Sequence, residues 1–135
     1  MIESATNRNS PPAYSPLTLA YIGDAVFELL ARTYVLRKHG NTQTAKLHKK
    51  TAAIVNAAAQ SRAYFLLQEF LREDEMDVLK RGRNARSYTT AKNASVSDYR
   101  HATGVEALIG YLYVTGQHRR IEELFEMMTG DDHGV

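Results

Sequence analysis

The stretch LAYIGDAVFEL, Leu19 to Leu29, has an apolar residue on almost every face when it is wound at a helical period. Leu19, Tyr21, Ile22, Val26, Phe27, Leu29 and Leu30 leave no wide polar stripe, so this helix is expected to be buried on most sides. It nevertheless carries Asp24 in its middle, directly after Gly23, with Glu28 one turn further on and Arg32 one turn beyond that. Two readings are open. Asp24, Glu28 and Arg32 form an ion-pair ladder at i, i+4 spacing on a partly solvated edge, or Asp24 is a functional carboxylate with space around it left by Ala20 and Ala31.

A second stretch bears on the choice. In YRHATGVEALIGYLYV, Tyr99 to Val114, Glu106 is the only acidic or basic side chain between Arg100 and His118, His101 aside. On a helical wheel Glu106 shares its face with Ala102, Thr103 and Gly110, all small. If the two helices pack together, Asp24 and Glu106 converge, and two carboxylates in a small-residue pocket repel unless a proton or a cation lies between them. A purely oxygen donor set suits a hard ion such as magnesium, which takes one or two protein carboxylates and keeps several waters.

The whole chain is compatible with that chemistry. Its 135 residues amount to one domain with a single core. The absence of cysteine removes disulfides, zinc-thiolate sites and thiol nucleophiles together. No window approaches the ~18 apolar residues of a membrane span, and the N-terminus lacks the basic-then-apolar plan of a signal peptide, so a soluble cytoplasmic protein without a membrane partner is expected. Net charge is only +2, but its distribution is uneven. No acid occurs from Val78 to Ser97, where Lys80, Arg81, Arg83, Arg86 and Lys92 lie, whereas acids collect in EDEMD (73–77) and EELFE (122–126).

In chain order, residues 1–14 hold Pro11 and Pro12 without periodicity and are expected to be a flexible arm. Ser15 and Pro16 start the first helix, which runs to about Lys38 and is closed by Gly40. A second helix begins near Thr42 or Thr44, with LHKK (47–50) on its exposed side and a break near Asn56. From Asn56 to Leu71 the apolar positions mark a core helix with no evident chemistry. The acidic cluster opens the next helix and Lys80, Arg81 and Arg83 close it, a polarity that suits the helix dipole. ARSYTTAKNASVS (85–97) reads as a loop, Ser97 as the cap of the Glu106 helix, Gly116 as its end, 117–129 as a last helix and 131–135 as a tail. No strand pattern intervenes, so the fold class is all-α, with about six helices around one core in residues 15–130.

These residues are recognisable. LAYIGDAVFEL resembles the signature helix of the ribonuclease III superfamily, and VEALIGYLY (105–113) looks like its second conserved helix. LHKK, VLKRGRNARSYTTAKN and YRHATGVEALIGYLY together resemble the Mini-III ribonucleases, small bacterial members without a separate double-stranded-RNA-binding domain. The resemblance covers about residues 17–128 and implies a ribonuclease III-like endonuclease domain. It assigns Asp24 to the aspartate after the signature glycine and Glu106 to the second motif, both as magnesium ligands, with manganese as a substitute ion. Where full-length ribonuclease III enzymes carry further carboxylates, this chain has Ala20 and Thr103, so water or RNA phosphate would fill more of the shell.

The function implied is a magnesium-dependent endoribonuclease that cuts double-stranded RNA, leaving 5′-phosphate and 3′-hydroxyl ends, and works as a homodimer. By the same resemblance the substrate is precursor 23S ribosomal RNA, with room for a ribosomal protein that presents it. A-form RNA offers shape, phosphates and 2′-hydroxyls, for which Lys80, Arg81, Arg83, Arg86, Lys92 and Asn93 are the candidate contacts, with Lys49 and Lys50 as lesser ones. His101 lies across its helix from Glu106 and is assigned to packing or surface. Two other classes compete: a non-catalytic RNA-binding or ribosome-associated module of the same fold, favoured by Ala20 and Thr103, and a helical protein-interaction bundle. Retention of both Asp24 and Glu106 argues against the first, because binding RNA alone requires no paired buried acids.

Overall fold

The structure is a computed structural model that describes residues 14–86 and 95–130. The arm expected over residues 1–14 lies outside the described residues except for Tyr14, and so does the tail; Tyr14 packs on the cluster formed by Leu19, Ala20, Val78, Ala107 and Val114. Six α-helices succeed one another: α1 (Pro16–His39), α2 (Thr44–Val55), α3 (Ala57–Leu67), α4 (Glu73–Asn84), α5 (Val96–Val114) and α6 (His118–Thr129), with a short 3-10 turn (Gln68–Phe70) after α3. No strand occurs among the described residues.

Local chemistry sets most of these boundaries. Ser15 accepts from the Thr18 amide and Pro16 occupies the first helical position, while Gly40, at φ 68°, closes α1 by donating to the Leu36 carbonyl. Asn56 is extended and breaks α2 from α3, capping α3 by accepting from the Ala59 amide at 2.8 Å. One cap differs from the sequence expectation: Ser95, not Ser97, starts α5, accepting from the Asp98 amide at 3.0 Å. Ser95 stands three residues before an acid, whereas Ser97 stands three before Arg100, and an acid rather than a base belongs in a first helical turn.

The central helix is α5 rather than α1. Nearly every α5 residue from Ala102 to Val114 is buried, and α1, α3 and α4 pack around it, with α6 across its far end. Helix α1 has one buried edge, made by Leu19, Ala20, Gly23, Phe27, Ala31 and Val35, and a wide outer face on which Leu17, Tyr21, Leu29 and Leu36 are exposed; Tyr21 is 80% exposed. The expectation of a helix buried on most sides therefore fails for the single chain. Periodicity counts apolar residues, but the cover on α1 comes from α5 and α2, with a little of α4 and with Phe125 of α6 against Phe27 and Tyr34, and it leaves the outer face open.

Glycine sets the distances between these helices. A Cβ on Gly23 would overlap the carbonyl of Glu106, and a Cβ on Gly110 would overlap the carbonyl of Leu19, so α1 and α5 cross in backbone contact at both points. On another side of α5, a Cβ on Gly104 would lie 2.7 Å from the Leu79 carbonyl of α4. Away from these crossings, Glu75 of α4 is fully buried and bonded to Arg120 of α6 (2.8 Å) and Arg72 (2.9 Å). Burial alone would raise the Glu75 carboxyl, yet the Arg120 and Arg72 hydrogen bonds and charges hold it below the ordinary range. The acid cluster thus does more than complement a dipole: its third member locks α4 to α6.

Because the α1–α5 contact is backbone on backbone, Gly110→Ala is expected to cost about 3 kcal/mol, at the upper end of overpacking penalties. Urea unfolding of the variant measures it; a loss under about 1 kcal/mol would show that the two helices are not in contact there.

Candidate active site

The glycine crossing fixes the position of the neighbouring acid. Gly23 rests on the Glu106 carbonyl, so the next residue of α1, Asp24, emerges beside the Glu106 side chain of α5. Asp24 is exposed and Glu106 is half-buried, so the pair lies at the edge of the core with one member open to solvent. Burial, and then the charge of Asp24, push the Glu106 carboxyl up to about 8; a hydrogen bond from Gln60 opposes the rise, and a hydrogen bond with Asp24 adds to it. The ladder reading is half right. Glu28 and Arg32 do pair at 2.6 Å, but Asp24 turns to Glu106 instead.

The two positions that lack carboxylates are closed to ligation. Ala20 is buried in the core, and the Thr103 hydroxyl donates to the Tyr99 carbonyl of its own helix at 3.0 Å. Among the described residues no group of three or more His, Cys, Asp or Glu side chains is assembled that could hold a metal ion. Two adjacent carboxylates fit an ion that completes its shell with water and substrate phosphate, which is the habit of magnesium. They fit it better than they fit each other, since without a cation one of them must hold a proton.

Sequence reasoning missed Gln60, having found no chemistry on α3. It is only 3% exposed, and its Nε2 donates both to Glu106 Oε2 (3.2 Å) and to the carbonyl of Val55 (2.9 Å). The signal was present: Gln60, Tyr64 and Leu67 fall at i, i+4, i+7, which puts an amide at a core position of a helix.

The candidate RNA contacts divide into three groups. Lys80, Arg81, Arg83 and Arg86 gather at the end of α4, all exposed except Arg83, which is half-buried with its guanidinium 5.9 Å from the Tyr64 ring. Arg81 is partly occupied by Asp77, at 3.7 Å. Lys49 and Lys50 are exposed on α2, and Lys92 and Asn93 lie outside the described residues, as does Tyr88. A cleft of about 320 Å³ between the end of α4 and the start of α5 is lined by Arg83, Asn84, Val96, Ser97, Arg100 and His101, which adds the exposed Arg100 to the basic group. His101 packs against Tyr64 and Phe65 and lies 3.2 Å from Ser61 Oγ, a packing role.

Comparison with known proteins fits this geometry. The Ribonuclease III domain family matches residues 17–117, a span that contains both acids. The chain belongs to the ribonuclease III family. Within the family it is similar to the Mini-ribonuclease 3 of Clostridium tetani, 48% identical over 132 residues, covering 89% of this chain and 86% of the relative. It is likewise similar to the Mini-ribonuclease 3 of Staphylococcus aureus, 45% identical over 112 residues, with 82% and 83% covered. A crystal structure of a protein from Fusobacterium nucleatum superposes with a TM-score of 0.80 at 31% identity, covering 94% of this chain and 98% of that one. Enzymes of the ribonuclease III family are metal-dependent nucleases, consistent with a site made of two carboxylates.

The raised Glu106 carboxyl carries a sign. Its folded value of about 8 lies above the ordinary 4.5, so between these pH values the folded chain holds a proton that the unfolded chain has lost. Stability of the metal-free protein should therefore fall as pH rises from about 5 to about 8. Thermal unfolding in chelator should show this slope, and Glu106→Gln should flatten it; an equal slope in the variant would locate the titration elsewhere.

Proposed function

We propose that the endoribonuclease activity of this ribonuclease III-family chain is carried by Asp24 and Glu106 holding magnesium, with manganese as a substitute, and is directed at double-stranded RNA. The observation behind this reading is the convergence of the two acids at the Gly23–Gly110 crossing. Asp24 presents its carboxylate from the open side and Glu106 from the core side, so a phosphodiester can approach over Asp24 without entering the core. When bound, the divalent ion supplies activation of water and offsets the charge that builds on the phosphate during hydrolysis. Water adds to phosphorus, the bond to the 3′ oxygen breaks, and the products carry a 5′-phosphate and a 3′-hydroxyl.

Lys80, Arg81, Arg83, Arg86 and Arg100 hold the A-form backbone through its phosphates, with Lys49, Lys50, Lys92 and Asn93 as further contacts. Among the described residues no helix is long and apolar enough to cross a membrane. The reading extends to the bacterial cytoplasm, to precursor 23S ribosomal RNA as substrate, and to a ribosomal protein that presents it. A homodimer is the natural consequence of the outer face of α1: Leu17, Tyr21, Leu29 and Leu36 form an apolar stripe on the same helix as Asp24, and pairing two copies along it would bury the stripe and bring two sites to one groove.

Cleavage of an end-labelled RNA duplex tests the chemistry. Magnesium-dependent cuts on both strands should disappear in chelator and fall in Asp24→Asn and Glu106→Gln by more than the ~10–100-fold typical of an outer-shell change, while duplex binding persists. Salt-sensitive binding with no cleavage under any condition would instead favour the RNA-binding module of the same fold, the reading to which Ala20 and Thr103 point.

Sedimentation tests the assembly. Wild type should run at twice the 15.2 kDa chain mass and Leu29→Glu at the mass of one chain. A wild type that stays a single chain at micromolar concentration would remove the dimer.

A further inference from the structure

We propose that Gln60 is the positioning residue of the metal centre, fixing the Glu106 carboxylate in its ligating orientation through Nε2. The inference rests on the reading that Asp24 and Glu106 hold the ion. Gln60 comes from α3, the third helix to reach this point, while Asp24 comes from α1 and Glu106 from α5. Its two amide hydrogens have separate duties. One meets the Val55 carbonyl at the last residue of α2, and the other meets Glu106 Oε2. Both partners are acceptors, so the amide is held with Nε2 toward them and cannot flip without losing both bonds.

Glu106 gains a fixed end from this. With Oε2 tied to Gln60, rotation of the carboxyl group about its last torsion breaks a part-buried hydrogen bond, so the group stays presented to Asp24. The tie persists at a visible cost: among the described residues, buried Gln60 Oε1 has no hydrogen-bond partner. Leaving a buried acceptor unpaired typically costs about 1–3 kcal/mol. A residue serving only the corner between α2 and α3 could be apolar, because Asn56 already caps α3 there. The unpaired acceptor is explained by the carboxylate that the same amide holds.

Gln60→Met tests this, because methionine keeps the length and flexibility of glutamine while removing the donor. Calorimetric titration of the RNA-free protein with Mn²⁺ should show affinity weakened about 10–100-fold, and the magnesium concentration for half-maximal cleavage should rise by a similar factor. Duplex affinity measured in calcium should stay within about two-fold, since Gln60 is buried and its side-chain hydrogen bonds among the described residues go to Val55 and Glu106. Unchanged Mn²⁺ affinity and magnesium dependence, with only a lower melting temperature, would make Gln60 a structural tie and overturn the proposal.

Should the variant fail to fold, wild type still answers. On titration with Mg²⁺ the Gln60 side-chain amide resonances should shift with the same saturation as the backbone signals of Gly23 and Ala107; no shift while those signals move would overturn the proposal. Asp24→Asn and Glu106→Gln run in parallel separate the two levels. If they bind Mn²⁺ and cleave as wild type does, the metal reading fails and the Gln60 role fails with it. If they lose both while Gln60→Met loses neither, only the Gln60 role fails.

Discussion

The backbone contact of α1 with α5 is the constraint on which the rest depends. Two helices normally stand 8–10 Å apart because side chains keep them there. Gly23 and Gly110 remove the side chain from each helix at the crossing, and each then rests on a carbonyl of the other, at Glu106 and Leu19. Glycine inside a helix is unfavourable by about 1 kcal/mol relative to alanine, so the pair is a local loss compensated by packing. What it secures is an acid from one helix beside an acid from another.

That placement needs a rigid centre, and α5 provides it. Its buried residues Val105, Leu108, Ile109 and Leu112 belong to the main core cluster with Tyr64, Leu67, Leu79 and Leu124, so α3, α4 and α6 all press on the helix that carries Glu106. The buried Glu75 with Arg72 and Arg120 fixes α4 to α6. Replacing such an ionic cluster by apolar residues is often neutral in stability, so its contribution lies in a defined arrangement of helices as much as in energy.

Electrostatics gives the site its character. Asp24 and Glu106 are held closer than two carboxylates would choose, with burial and mutual repulsion raising the one on the core side. Repulsion of this kind is relieved by the proton that Glu106 holds below about pH 8, or by a cation in its place. The basic side chains differ in kind. Lys80, Arg81, Arg86 and Arg100 are exposed at helix ends, where long chains can move without disturbing the core.

The all-α class, the helix starts to within a residue or two, and the isolation of Asp24 and Glu106 were legible in the chain alone, because these depend on periodicity, capping residues and the scarcity of charge in an apolar run. Family membership was legible too, through LAYIGDAVFEL and VEALIGYLY. Packing decided that α5 rather than α1 is central, since two equally apolar helices differ only in how many neighbours each has. It decided that Asp24 faces Glu106 and not Arg32, because a contact between helices is set by the glycine crossing and not by spacing along one of them. And it decided that Gln60 reaches Glu106: the two are forty-six positions apart, and only packing of α3 on α5 brings an amide donor to that side chain.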